Sequence, residues 1–343
     1  MLPAGLTAEQ ATVMAGIDRA IVAGDRTHVI QGIAGVGKTH LLCAVARRHP
    51  TAEVCALSNR AAALLRHKTG RPARTIHRLV KRFIGLDRHG DPLFDRNNHC
   101  GELVLVDEAS VVNAELAADL QRNFDTVIAF GDPAQLQPVQ GLPGFPRANA
   151  VLSEIHRQAQ GNPIIRQAHA VRNGRGYTAD GPEFRVKARE ELTYGDLSEA
   201  DIALTYFRDS RAILNSLMRE ARGITGVTLK AGEPVMSTKN YYDNAIFNGE
   251  IWYVVKDCAL GHDPLTISDG RETQTLKNVA VEGLWTTKDP DAIQFRLAYA
   301  QTVHASQGSE WSSVLLLNQK PKNPQWVYTG ITRASQRVLV VEL

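Results

Sequence analysis

Gly32-Ile33-Ala34-Gly35-Val36-Gly37-Lys38-Thr39 fits the pattern GxxxxGK(S/T). A pattern this short becomes informative through its flanks. The apolar run 28–31 before it reads as a strand, and 38–48 after it reads as a helix. The glycines therefore fall on a strand-to-helix turn. There the backbone N–H groups of Gly35, Val36 and Gly37 can wrap a triphosphate at a helix N-terminus. Lys38 is placed for the β- and γ-phosphates, and Thr39 for a magnesium ion. ATP and Mg²⁺ are the cofactors such a turn implies. A plain glycine-rich turn is the competing reading, and the flanking strand and helix weigh against it.

The same texture continues outward. Residues 6–23 read as a helix that Thr7 can cap, with Val13, Ile17 and Ile21 at helical spacing. Residues 53–57, 102–106 and 126–130 read as strands, and 59–68 and 114–122 as helices. Apolar strands alternating with helices mean a parallel sheet covered on both faces, with ligands at the carboxyl ends of its strands. One such end carries Asp107-Glu108, after Leu103-Val104-Leu105-Val106. Asp107 can hold Mg²⁺ through water, and Glu108 can polarise an attacking water. An acidic pair after a strand is often only the start of a polar loop. The phosphate-binding turn upstream favours the chemical reading.

Gly141-Leu142-Pro143-Gly144-Phe145-Pro146 interrupts this pattern and reads as a linker. Helical runs return at 162–172 and 210–222. From about 233 to 295, short β-like runs separated by turns suggest a small barrel. The α/β texture resumes at 297–307, with strands at 314–317 and 337–341. The expected fold is α/β: a first domain over 1–146, and a second over 147–232 and 296–343 that is interrupted by a barrel at 233–295. Segment 83–100 reads as a small hairpin excursion from the first domain, because Asp87-Arg88-His89-Gly90-Asp91 supplies turn chemistry. A plain surface loop is the alternative there.

Composition narrows the class. The chain has 343 residues, enough for two domains and an insert. No apolar run is long enough to span a membrane, and residues 1–10 lack a signal pattern, so a cytoplasmic location is expected. Cys43, Cys55, Cys100 and Cys258 are far apart and form neither a disulfide frame nor a zinc site. The net charge of +3 decides nothing by itself, but its distribution does. Residues 56–86 hold no Asp or Glu and carry eight Lys and Arg. Residues 156–177 are likewise free of acids. Such one-sign fields attract phosphate backbones, although a solvated helix face is the competing reading.

Further motifs then resemble those of superfamily 1 helicases, in that family's order. Residues 131–138 (GDPAQLQP) resemble motif III, 152–158 (LSEIHRQ) motif IV, 300–310 (AQTVHASQGSE) motif V and 327–334 (VYTGITRA) motif VI. Ser58-Asn59-Arg60 resembles motif Ia, and Thr75-Ile76-His77-Arg78 motif Ib. Residues 234–250 resemble the start of the SH3-like barrel of the RecD/Dda branch. The resemblance implies two RecA-like P-loop domains with parallel sheets, a small β-hairpin insert in the first and an SH3-like β-barrel insert in the second. It also implies a motor that uses ATP to move 5′ to 3′ along single-stranded DNA and to unwind duplex with a single-stranded tail; the compact size suggests that the motor is monomeric.

Residue roles follow from matching positions. Gln135 would sense the γ-phosphate. Arg157 and Arg333 would reach that phosphate as arginine fingers, since a fixed guanidinium stabilises the charge on the transferred group. Gln10 resembles the family's adenine-reading glutamine, yet Thr7-Ala8-Glu9-Gln10 also fits a helix capping box. Ser58, Arg60, Thr75, His77, Asn248, Thr302, His304 and Ser306 would contact DNA; the two histidines could equally be packing residues. Ala305 departs from the family, where a lysine is common. An RNA-directed motor and an ATP-latched nucleic-acid clamp are the rival readings. A P-loop kinase would not need motifs V and VI.

Overall fold

The computed structural model describes residues 5–86, 92–96, 101–155, 161–241, 243–270, 272–320 and 322–343. They fall into two compact units, Met1–Arg166 and Gln167–Leu343.

The first unit carries strands β1 (Thr27–Gly32), β2 (Glu53–Ala56), β3 (Arg74–Thr75), β4 (Lys81–Leu86), β5 (Pro92–Arg96), β6 (Gly101–Val106), β7 (Phe124–Gly131) and β8 (Ala150–Leu152). Its helices are α1 (Ala8–Ala23), α2 (Lys38–Arg48), α3 (Asn59–Thr69), α4 (Ile76–Val80) and α5 (Ala114–Asn123). Six of the strands form a parallel sheet in the order β3-β2-β6-β7-β1-β8. Helices cover both faces, so central strands need apolar side chains on each side. Val104, Leu105, Val106, Val127, Ile128 and Ala129 are accordingly all fully buried. Helix α1 buries Val13 and Ile17 against this sheet, each worth about 1.5–3 kcal/mol of apolar burial. Register places Gln31 beside Gly131 and Val106 beside Ala129, which brings the carboxyl ends of β1, β7 and β6 together.

β4 and β5 pair antiparallel, with an irregularity between Phe83 and Gly85. The turn expected at 87–91 lies outside the described residues.

The first unit extends beyond the expected break at 146. The Gly-Pro segment folds back instead of leading away: Ala114 N donates to Leu142 O and Gly144 N donates to Val112 O, both at 2.8 Å. A Cβ on Gly144 would sit 2.6 Å from Asn113 O, so the close approach requires glycine. β8 then adds to the edge of the sheet beside β1. Gly32 permits this, because a Cβ there would meet Val36 Cγ2 at 2.7 Å and Leu152 O at 3.0 Å.

The second unit carries β9 (Phe184–Ala188), β10 (Ile202–Thr205), β11 (Thr228–Leu229), β12 (Pro234–Ser237), β13 (Ile251–Val254), β14 (Cys258–Ala259) and β15 (Leu265–Ser268). It continues with β16 (Thr273–Leu276), β17 (Val279–Glu282), β18 (Ile293–Leu297), β19 (Ala300–Thr302), β20 (Trp311–Asn318) and β21 (Ala334–Glu342). A second parallel sheet runs β19-β10-β20-β21-β9. A six-stranded sheet, β16-β15-β13-β12-β18-β17, is antiparallel except where β17 meets β18. This inserted sheet and the parallel sheet share one core, in which Val235, Trp252 and Phe295 join Ala203, Leu315 and Leu339.

A buried clasp anchors the start of the insert. Arg219, on the helix Arg208–Glu220, donates from Nε to Glu233 Oε1 at 2.7 Å, and its two Nη groups donate to Gly226 O and Thr228 O at 2.6 Å. Tyr299 OH and Lys230 N also donate to the Glu233 carboxylate. The buried charges are therefore paired and hydrogen-bonded, as burial demands.

Candidate functional site

The phosphate-binding turn has the backbone that its sequence requires. Gly35 and Gly37 have φ of +87° and +76°, values glycine adopts without steric cost, and Gly37 is the N-cap of α2. Lys38 projects from the first position of that helix. Its Nζ donates to Ile33 O at 3.0 Å and lies 3.7 Å from Asp132 Oδ2. Thr39 Oγ1 donates to Asp107 Oδ2 at 3.3 Å. The expected turn, lysine, hydroxyl and carboxylate therefore converge where β1, β7 and β6 end.

The two neighbouring acids differ. Asp107 is buried, and its Oδ1 accepts from Glu108 N at 2.9 Å. Burial first, and the charge of Glu108 second, raise its carboxyl to about 6, with Lys38 and Thr39 opposing. Glu108 is half-buried and takes a left-handed backbone, φ +53°, a conformation that costs a non-glycine residue about 1–3 kcal/mol. A hydroxyl oxygen beside a buried carboxylate, next to an open amide turn, fits a nucleotide triphosphate with a hard divalent cation.

Asp132, fully buried at the end of β7, is the partner of Lys38 that the motif reading passed over. Its position directly after an apolar strand was the available signal. Gln135 is buried three residues further on. Gln10 realises the capping box: its N donates to Thr7 Oγ1, and its Oε1 accepts from Thr7 N. Its Nε2 also donates to Val36 O at 3.1 Å, so this 1% exposed side chain ties α1 to the phosphate turn. Arg157 lies outside the described residues.

In the second unit Arg333 is buried, with Nε donating to Thr329 O at 3.1 Å and Nη1 to Ser309 O at 3.3 Å. Helix Pro324–Ile331 and the turn before β20 therefore hold its guanidinium.

The expected DNA residues divide by exposure. Ser58 and Thr75 are N-caps, accepting from Ala61 N and Arg78 N, and Thr75 is buried. Arg60 is half-buried and His77 exposed. In the second unit Asn248 is exposed, and Thr302 is half-buried with Oγ1 accepting from Ala305 N. His304 packs edge-on to Tyr206 with centroids 6.0 Å apart, and burial lowers its imidazole pKa. Ser306 is fully buried and its hydroxyl donates to Val303 O at 2.8 Å, so its side chain closes a turn. Among the described residues no helix is long and apolar enough to cross a membrane.

Two parallel α/β sheets, the first ending in a lysine–hydroxyl–carboxylate cluster around a glycine turn, define a P-loop nucleotide-binding protein of RecA-like architecture. Residues 5–181, just over half of the chain, match the family described as AAA domain, and the chain belongs to that family. Residues 297–341 match a UvrD-like helicase C-terminal domain. The chain is 31% identical to the ATP-dependent RecD2 DNA helicase of Deinococcus radiodurans, across 97% of this chain and 48% of that protein. It is 29% identical to the RecBCD enzyme subunit RecD of Buchnera aphidicola, across 35% of this chain and 23% of that one. The chain thus spans about half or less of the length of these relatives.

Solved structures share the fold. Bacteroides Pif1 bound to single-stranded DNA superposes with a TM-score of 0.66 at 19% identity, covering 98% of this chain and 92% of that one. Pif1 helicase from Candida albicans gives 0.60 at 20% identity, with 98% and 94% covered.

Proposed function

We propose that this chain hydrolyses ATP to move along single-stranded DNA, 5′ to 3′, and to separate duplex strands. The observation that carries the proposal is the cluster of Lys38, Thr39, Asp107, Glu108 and Asp132 at the adjacent ends of β1, β6 and β7. In this reading the turn and Lys38 bind the phosphates, and Thr39 and Asp107 hold Mg²⁺, which supplies charge neutralisation at the phosphates when bound. Glu108 accepts the proton of the attacking water. Gln135 senses the γ-phosphate, and Arg157 and Arg333 supply the cations that stabilise its departure. Gln10 carries the phosphate turn through Val36 O, and the adenine contact implied by its resemblance is part of the same proposal.

The direction of travel and the DNA substrate rest on the RecD/Dda-like motif order and on the RecD2 relative. Arg60, Thr75 and His77 in the first unit, and Asn248, Thr302 and His304 in the second, are the proposed strand contacts, with Ser58 and Ser306 shaping the turns beside them. The domain layout proposed with it has two RecA-like domains, the β4–β5 pair as a wedge, and an SH3-like barrel at 233–295. Steady-state ATPase, measured with and without single-stranded DNA and in competition with RNA of the same length, tests the proposal. DNA stimulation that RNA does not match supports it. Turnover indifferent to any nucleic acid contradicts it.

A further inference from the structure

A cavity of about 770 Å³ opens within the second unit, between the helix Arg208–Glu220, the inserted sheet and the turn after β19. Its charged lining is three arginines, Arg208, Arg211 and Arg296, against two carboxylates, Asp209 and Glu282. Arg211 is 8% exposed. Its Nη2 donates to Glu282 Oε1 at 2.8 Å, while its Nε has no acceptor. Arg296, on β18, is half-buried; its Nη2 faces the Met236 thioether at 3.0 Å and its Nε also has no acceptor. Burial, reinforced by the charge of Arg211, lowers its guanidinium to about 10. Buried guanidinium groups this short of acceptors are costly unless an anion completes them.

Three residues on the wall say which anion. Asn248 and Thr302, both among the proposed strand contacts, line the same cavity. So does Ala305, which is exposed and uncharged where the helicase resemblance leads one to expect a lysine. We propose that Arg208, Arg211 and Arg296 form a phosphate pocket that takes one backbone phosphate of the single strand, replacing the cation absent at Ala305. The proposal rests on the strand-binding reading above. Planar guanidinium groups suit a phosphodiester, whose two free oxygens accept paired N–H donors. Glu282, paired to Arg211, keeps that side chain oriented toward the wall.

The test is binding of a fluorescent oligo(dT) by the whole chain across a salt series. Each neutralised phosphate on a single strand contributes about 0.7 to the log–log salt slope. Arg208→Gln and Arg296→Gln should each weaken binding several-fold and flatten the slope, by up to about 0.7. Adding Ala305→Lys to the Arg296→Gln protein should restore it. Arg208 is exposed, so its replacement leaves the core intact and keeps the test valid if the Arg296 variant does not fold. Salt-dependent binding by the parent with unchanged slopes in both variants overturns the pocket alone. A parent that does not bind oligo(dT) overturns the pocket and the strand-binding reading together.

Discussion

Lys38 Nζ lies 3.7 Å from Asp132 Oδ2, and Asp132 is fully buried at the end of the strand beside the phosphate turn. The lysine that would meet the phosphates is therefore also an ion-pair partner of a buried carboxylate. Lys38→Ala should reduce ATP turnover by ~10²–10³-fold, the loss typical of a missing donor to transition-state charge. It should also destabilise the first unit by about 1–3 kcal/mol, because buried Asp132 loses this ion pair. Turnover and thermal melting of the same preparation check both. Parent-like turnover would contradict the assignment of the lysine.

Glu108, the proposed base, should separate binding from chemistry. Glu108→Gln retains volume and hydrogen bonding but cannot accept a proton. Nucleotide affinity should stay within a few-fold of the parent while turnover falls by at least ~10²-fold. Equilibrium binding of a fluorescent ATP analogue, alongside single-turnover hydrolysis, distinguishes the two. If affinity and turnover fell together, Glu108 would be a binding group.

Arg333 is held by the carbonyls of Thr329 and Ser309. An arginine finger acts on developing charge, so its loss should appear in kcat, by as much as ~10³-fold. Its burial adds a second consequence: Arg333→Ala should also lower the melting temperature. Arg333→Lys keeps the charge but not the fork, and should recover stability more than turnover. A variant that melts earlier yet turns over normally would make Arg333 purely structural.

Asp196 makes the second unit sensitive to acid. Burial alone would raise its carboxyl, but hydrogen bonds from Lys187 Nζ at 2.6 Å and Thr193 Oγ1 at 2.7 Å outweigh this and hold it below the ordinary range. A carboxyl lowered by folding stabilises fully above its unfolded pKa and loses that contribution as pH falls through the folded value. Asp196→Asn should therefore cost about 1.5–3 kcal/mol at pH 7, the value of hydrogen bonds to a charged group, and almost nothing near pH 2. Melting curves across that range test the sign; a cost that grew toward low pH would reverse it.

How much was legible depended on where the information lay. The first unit's strands and helices were readable because each carries its own period: α2 begins and ends where expected, and Ile17 and Val104 are core by pattern alone. β10 escaped because Ile202-Ala203-Leu204-Thr205 is four residues long, too short for periodicity to tell strand from helix. β9 escaped because only Phe184 of its five residues is buried. The break at 146 was misplaced because glycine and proline signal a turn, and nothing local says that Gly144 is needed for close approach to Asn113. At the site, the meeting of Lys38, Thr39 and Asp107 was legible from the glycine pattern before α2 and the strand end before Asp107. The burial of Ser306 was not, since a motif names a position and leaves its side chain's direction open. The arginine cavity was invisible, because Arg208, Arg211 and Arg296 meet only after the insert folds back on its helix.

The most direct test of the motor is strand separation on two tailed duplexes of identical sequence, one with a 5′ and one with a 3′ single-stranded tail, at saturating ATP and Mg²⁺. The account predicts unwinding of the 5′-tailed duplex that requires hydrolysis and disappears in Glu108→Gln, with little from the 3′-tailed one. Absence of unwinding on both, by a protein that hydrolyses ATP in response to single strands, would contradict the strand-separating claim and leave a translocase or clamp.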